Sequence, residues 1–284
     1  MDSPSTAHLD RPLGDLTAWT RHFSQQPIPV LAESAAAVAA LAERDAAGDE
    51  GVDAQLIVKG IGQDPLMALR ILSHVALQLG GRREVQVETI TEALVLMGIT
   101  PFFRTFSRLP VLQVLLQDQP EALHGAHGVL ERGRRASQFA LGFSVHRMDT
   151  DAAQVHQAAQ LHDFAELLMW VHAPALALTI RRLQQEDPGL RSAQAQRHVL
   201  GIELAELQQS LMHEWRMPEL LIRLSDPRHA AHPSVRSVLL AIRVARHSAH
   251  GWENPALPGD ILEVAALLQL SPEHARHLLI ELDS

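Results

Sequence analysis

The stretch QLHDFAELLMWVHAP, residues 160–174, sets the reading of the whole chain. Apolar side chains recur through it at helical spacing. Val155, Ala158, Ala159, His162, Ala165 and Met169 make one stripe, so the periodicity predicts a helix over 151–172. It contains an adjacent His162-Asp163, two residue types that ligate metal ions. By helical register His162 faces the stripe, buried or half-buried. Asp163 falls one residue further round, in line with His156, Gln160, Leu167 and Trp170, and both look towards one inter-helix groove.

Outward from this stretch the chain reads helical throughout. Ala, Leu, Gln, Glu and Arg dominate, Tyr is absent, and no strand-turn-strand pattern carries Asn-Gly or Asp-Gly. Asp64-Pro65, Thr100-Pro101 and Ser271-Pro272 are helix starts. Gly80-Gly81 stops the helix begun at Asp64, and Asp260 is read as the cap of ILEVAALLQL. Further helices are expected at 12–24, 30–47, 52–60, 86–97, 119–147, 174–186, 190–215, 218–225 and 234–250. Residues 110–120 form the joint between a front and a back helical half, which are expected to pack together.

The 284 residues suffice for one large domain or two small ones. A formal net charge of −9 disfavours general affinity for nucleic acid. The 17 histidines should move the charge towards zero near pH 6 and lower solubility there. With no Cys, thiolate metal sites and Cys nucleophiles are excluded. The polar, acidic N-terminus lacks the features of a signal peptide, and no apolar run reaches the ~18–20 residues of a membrane span. The expectation is a cytoplasmic protein.

Several segments together resemble the HDOD family, the HD-related output domains of bacterial signalling proteins. They are QQPIPVLAES (25–34), DPLMALRILSHVAL (64–77), VETITEALVLMGITPFFRTF (87–106), LHDFAELLMWVHAP (161–174) and HVLGIELAELQQSLMHEWRMPELL (198–221). Their order carries more weight than any single one. The resemblance covers about residues 24–226, leaving an N-terminal segment, 1–23, and a helical C-terminal extension, 227–284. It implies an all-α fold in which an N-terminal helical subdomain, to about residue 115, packs against an HD-like helical bundle. It also implies a role in signal transduction, mostly without catalysis.

An HD phosphohydrolase holds one or two metal ions with a His, the His-Asp pair and a distant Asp, because activating water and neutralising phosphate needs several converging ligands. By pattern, the first His falls near Glu131, with His127 one turn earlier. The distant Asp falls near Arg246. The extra His ligands of two-metal versions fall near Leu204 and near Ser225-Asp226, and Leu204 lies on the apolar stripe Leu200, Leu204, Leu207, Leu211, Trp215. The Gly that usually follows His-Asp-x is Ala165. The expectation is therefore a vestigial pair, His162-Asp163, with no metal, no cofactor and no catalytic residue. The protein would be a non-catalytic regulatory module that binds a protein partner, or a small ligand, between its halves and changes their packing, with its input from a separate molecule. The alternative is a metal-dependent phosphohydrolase of nucleotides or cyclic dinucleotides, using His162 and Asp163 with His127, His156 or Asp226.

Other candidates are weaker. His124/His127, His229/His232, His247/His250 and His274/His277 stand three apart and could chelate a transition metal on a helix face; without a carboxylate partner at ligand spacing, solvated faces or loops are the expectation. Arg132, Arg134, Arg135, Arg181, Arg182, Arg243 and Arg246 could form an anion patch; balanced charged faces are the expectation. Trp19, Trp170, Trp215, Trp252, Phe102, Phe103 and Phe106 are read as packing residues. No phosphate-binding Gly loop and no Gly-x-Ser-x-Gly is present.

Overall fold

The computed structural model describes residues 8–79, 87–187 and 189–283. The described residues are all-α: helices, one 3-10 turn at Pro227–His229, and an isolated parallel bridge between Val30 and Val111. In chain order the helices are α1 (Leu16–Ser24), α2 (Ala32–Ala46), α3 (Ala54–Ile61), α4 (Pro65–Leu79), α5 (Ile90–Met97) and α6 (Ile99–Thr105). Then come α7 (Leu112–Leu115), α8 (Pro120–His146), α9 (Ala152–Leu161), α10 (Phe164–His172), α11 (Pro174–Glu186) and α12 (Ser192–Leu200). The last five are α13 (Leu204–Glu214), α14 (Glu219–Leu224), α15 (Pro233–His247), α16 (Leu257–Leu268) and α17 (Pro272–Leu282). Among the described residues no single helix is long and apolar enough to cross a membrane.

Local chemistry sets several helix ends. Asp53 caps α3 by accepting from Leu56 N at 2.8 Å. Thr89 and Glu92 form a reciprocal capping box on α5. Ser271 accepts from His274 N ahead of Pro272, starting α17 as expected. Three expectations need correction. The helix predicted over 151–172 is interrupted at His162-Asp163, where Asp163 has φ −106° and ψ 22° and its carbonyl starts a new helix. The helix predicted over 190–215 is split at Gly201, whose φ of 75° ends α12 in the left-handed region. Asp260 lies within the first turn of α16 rather than at its cap, because its carboxylate is taken by side chains of α15. In addition, Pro101 stands inside α6, which Gly98 begins, and α7 occupies part of the segment read as a joint. Gly80-Gly81 lies outside the described residues.

The helices form two compact units, each discontinuous in sequence. The first comprises residues up to Val129 with Asp163–Met217; the second comprises Leu130–His162 with Pro218 onward. In the first unit α1 packs on α13, α2 on α3, α10 on α11 and α13, and α11 on α12. Its core holds Trp19, Phe23, Phe102, Phe164 and the α4 residues Leu66–Leu69, all buried. Gly125 admits the Trp170 indole, which would stand 2.6 Å from any Cβ there. In the second unit α15 is the central helix, against α9, α14 and α16, with α17 on α16. Gly142 of α8 receives the Leu282 side chain, with no room for a Cβ between them.

Candidate functional site

His162 and Asp163 sit at the α9–α10 break, both half-buried, and the chain passes from one unit to the other between them. Asp163 acts on the backbone through its carbonyl, which accepts from Glu166 N at 3.1 Å and Leu167 N at 3.2 Å. Ala165, where a Gly is usual, is buried in α10.

The positions expected by pattern to complete an HD metal site carry other chemistry. Glu131 is exposed and paired with Arg134 at 2.7 Å; that guanidinium holds its carboxyl below the usual range. His127 is exposed on α8 and Arg246 exposed on α15. Leu204 is buried with Leu200, Leu207, Leu211 and Trp215, the stripe the sequence predicted. Asp226 is buried but committed: Arg228 Nε donates to its two oxygens at 3.0 and 2.9 Å, and Arg228 N donates at 2.9 Å. Those bonds hold its carboxyl low, as a salt-bridged acid rather than an open ligand. His156 is half-buried on α9, and burial lowers its pKa. Among the described residues no three His, Asp or Glu side chains converge where one ion could bind them. The donor set therefore does not fit the divalent metal of an HD enzyme: two of its positions are a leucine and an arginine, and two carboxylates are held by arginines.

The other histidines are scattered. His124 and His250 are exposed. His229 Nε2 stands 3.8 Å from Asp226 Oδ2, and His232 Nδ1 accepts from Ser234 N. His274 Nδ1 lies 2.7 Å from Ser271 Oγ, with His277 exposed. His247 is different. Its Nδ1 donates to buried Asp260 at 2.5 Å, and Arg243 bonds Asp260 at 2.5 Å and Glu263 at 2.9 Å, tying α15 to α16. Arg135 is buried and fully engaged, by Asp283, Ala245 O and Ser248 Oγ. The predicted packing aromatics are buried, with Trp252 half-buried against Phe139.

Sequence reasoning missed a bonded centre in the first unit, the segment Pro27–Leu31. Buried His172 donates from Nε2 to Pro27 O at 3.1 Å. Arg70 Nη1 donates to Ile28 O at 2.7 Å. Val30 N donates to Pro110 O at 2.8 Å, and Val30 O accepts from Leu112 N. Buried Asp64 accepts from Leu31 N at 2.7 Å while capping α4 through Leu66 N and Met67 N. Burial pushes the Asp64 carboxyl up against those bonds. One carboxylate thus joins the start of α4 to the start of α2. The Pro-Ile-Pro spacing marks an extended segment, but its partners are all distant in sequence and left no local signal.

The sequence model of the HDOD domain matches residues 28–231. No curated protein matches the chain. Among solved structures, the MmoQ response regulator of Methylococcus capsulatus superposes with a TM-score of 0.63 at 21% identity, covering 90% of this chain and 98% of that one. A virulence factor of Campylobacter jejuni superposes with a TM-score of 0.61 at 16% identity, covering 93% and 94%. At these identities the likeness is one of fold.

Proposed function

Because the chain belongs to the HDOD domain family, we propose that it is a non-catalytic signalling module: a degenerate HD scaffold, acting in the bacterial cytoplasm, that regulates by binding a protein partner or a small ligand. The observation that carries this reading is the state of the ligand positions. Leu204 is apolar core, Arg246 is a cation, and Glu131 and Asp226 are each held by an arginine. Recruiting either carboxylate to a metal would break an existing charge-assisted bond. His162 and Asp163 alone supply at most two ligands, short of the set that hydrolytic metal chemistry needs. In this reading the pair persists because it forms the α9–α10 break.

A turnover assay tests the proposal. The full chain is incubated with nucleoside mono-, di- and triphosphates and cyclic dinucleotides, with manganese, iron or magnesium, beside His162→Ala/Asp163→Ala. The expected result is no hydrolysis above the double variant. Metal-dependent turnover that the double variant loses would make the protein a phosphohydrolase.

A further inference from the structure

Arg70 stands out, among the described residues, as a half-buried cation with no acid beside it. It projects from α4 and spends one donor, Nη1, on Ile28 O. Its Nε is buried without a partner, and no carboxylate pairs with it among the described residues. Arginines removed from water are ordinarily matched by a carboxylate or phosphate. The buried guanidinium of Arg135 has one in Asp283. In a chain of net charge −9 an unmatched, half-buried cation is not a consequence of composition.

One turn on, His74 shares the face of Arg70 and packs edge-on against Phe106, ring centroids 5.6 Å apart. Burial and the Arg70 charge lower its pKa, so at neutral pH it is an uncharged imidazole beside the guanidinium. On the next turn Leu77 is 50% exposed. The open face of α4 therefore presents, in order, a guanidinium, a neutral imidazole and an apolar side chain.

We propose that Arg70 and His74 form a binding subsite for a carboxylate of a partner polypeptide, with an apolar residue beside that carboxylate packing towards Leu77. One cation flanked by a neutral imidazole balances one negative charge. A phosphate dianion would leave the second uncompensated, and Leu77 would contribute nothing to it. Nε is shielded from solvent, so the unspent Nη N–H groups meet a carboxylate with charge-assisted bonds, and the imidazole adds a donor. This deepens the binding role proposed above by placing one contact of the partner on α4.

The test uses the full chain and three small probes: N-acetyl-leucine, its amide, which lacks the carboxylate, and inorganic phosphate, at matched ionic strength. Histidine side-chain NMR follows His74, assigned by His74→Gln. N-acetyl-leucine should move the His74 resonance saturably, with affinity on the order of 10 mM for so small a fragment. The amide should be inert, and phosphate weaker. Arg70→Gln should weaken the response at least about tenfold, one charge-assisted contact being worth that much. Should Arg70→Gln not fold, Arg70→Lys keeps the charge but not the fork and should still weaken binding. His74→Gln, which leaves the Ile28 bond in place, should lower the thermal stabilisation given by N-acetyl-leucine. A response to the amide equal to that of the acid, an unmoved His74, an Arg70 variant that binds like the native protein, or phosphate binding tighter than both would overturn the assignment. None of these outcomes bears on hydrolysis, so this inference can fail while the non-catalytic reading stands.

Discussion

The Arg135 guanidinium grips the Asp283 carboxylate in a two-point pair, Nε to Oδ1 at 2.6 Å and Nη2 to Oδ2 at 2.7 Å. Arg135 lies in α8 and Asp283 just beyond α17, so the pair closes the second unit across 148 residues of sequence. The chain that forms α15–α17 extends past residue 231, where the family match ends, yet these helices are part of that unit.

Asp283→Ala should therefore destabilise the protein by about 3 kcal/mol, because it strands a buried guanidinium. Urea unfolding followed by circular dichroism checks this. A loss below about 0.5 kcal/mol would mean that the pair behaves as a surface ion pair.

Gly125 and Gly128 lie on the same helix in opposite circumstances. A Cβ at Gly125 would enter the Trp170 indole, whereas Gly128 has open space. Gly125→Ala should cost about 1–3 kcal/mol through overpacking. Gly128→Ala should stabilise by up to about 1 kcal/mol through helix propensity. Thermal melts of the two variants should shift in opposite directions.

His172 gives stability a pH dependence. Burial, with the nearby His22 and His8, holds its pKa down to about 4, although the Pro27 carbonyl favours the charged form. A depressed pKa means that the fold prefers the neutral ring. Its contribution is fully present above the unfolded value near 6.5 and is lost as pH falls from there towards 4. Burial lowers His22, His74 and His156 in the same direction. Denaturant midpoints should fall steadily between pH 7 and 4. In His172→Gln that part of the slope should shrink, and an unchanged slope would contradict the assignment.

Asp64→Ala removes the acceptor of Leu31 N, Leu66 N and Met67 N together. Loss of the cap and of the link to α2 should cost about 2 kcal/mol. Hydrogen exchange should rise at the starts of both helices; protection unchanged at Leu31 would show that the link does not hold α2.

The sequence was most legible where structure is set locally. Ser271-Pro272 starts its helix where cap chemistry places it, Pro174 stands at the start of α11 by its fixed φ, and the stripe from Leu200 to Trp215 is buried as its spacing required. The break at His162-Asp163 was hidden because apolar periodicity continues through it with no Gly or Pro. At Gly201 the signal was present, but the regular spacing of Leu200 and Leu204 outweighed it. Asp260 looked like a cap because its partners, Arg243 and His247, come from another helix. The unit boundaries at Val129/Leu130 and His162/Asp163 fall inside or between abutting helices, where no linker composition marks them. At the candidate site, the residue types at 131, 204 and 246 were readable directly. That Arg228 occupies Asp226 needed the turn at Pro227 to be folded.

In the proposed reading, the His162-Asp163 pair does not belong to a metal centre. Elemental mass spectrometry of untagged protein, before and after incubation with manganese, iron and zinc, tests it most directly, with His162→Ala/Asp163→Ala as the comparison. The expected result is metal well below one ion per chain, or a content that the double variant leaves unchanged. Near-stoichiometric metal that the double variant loses would contradict it.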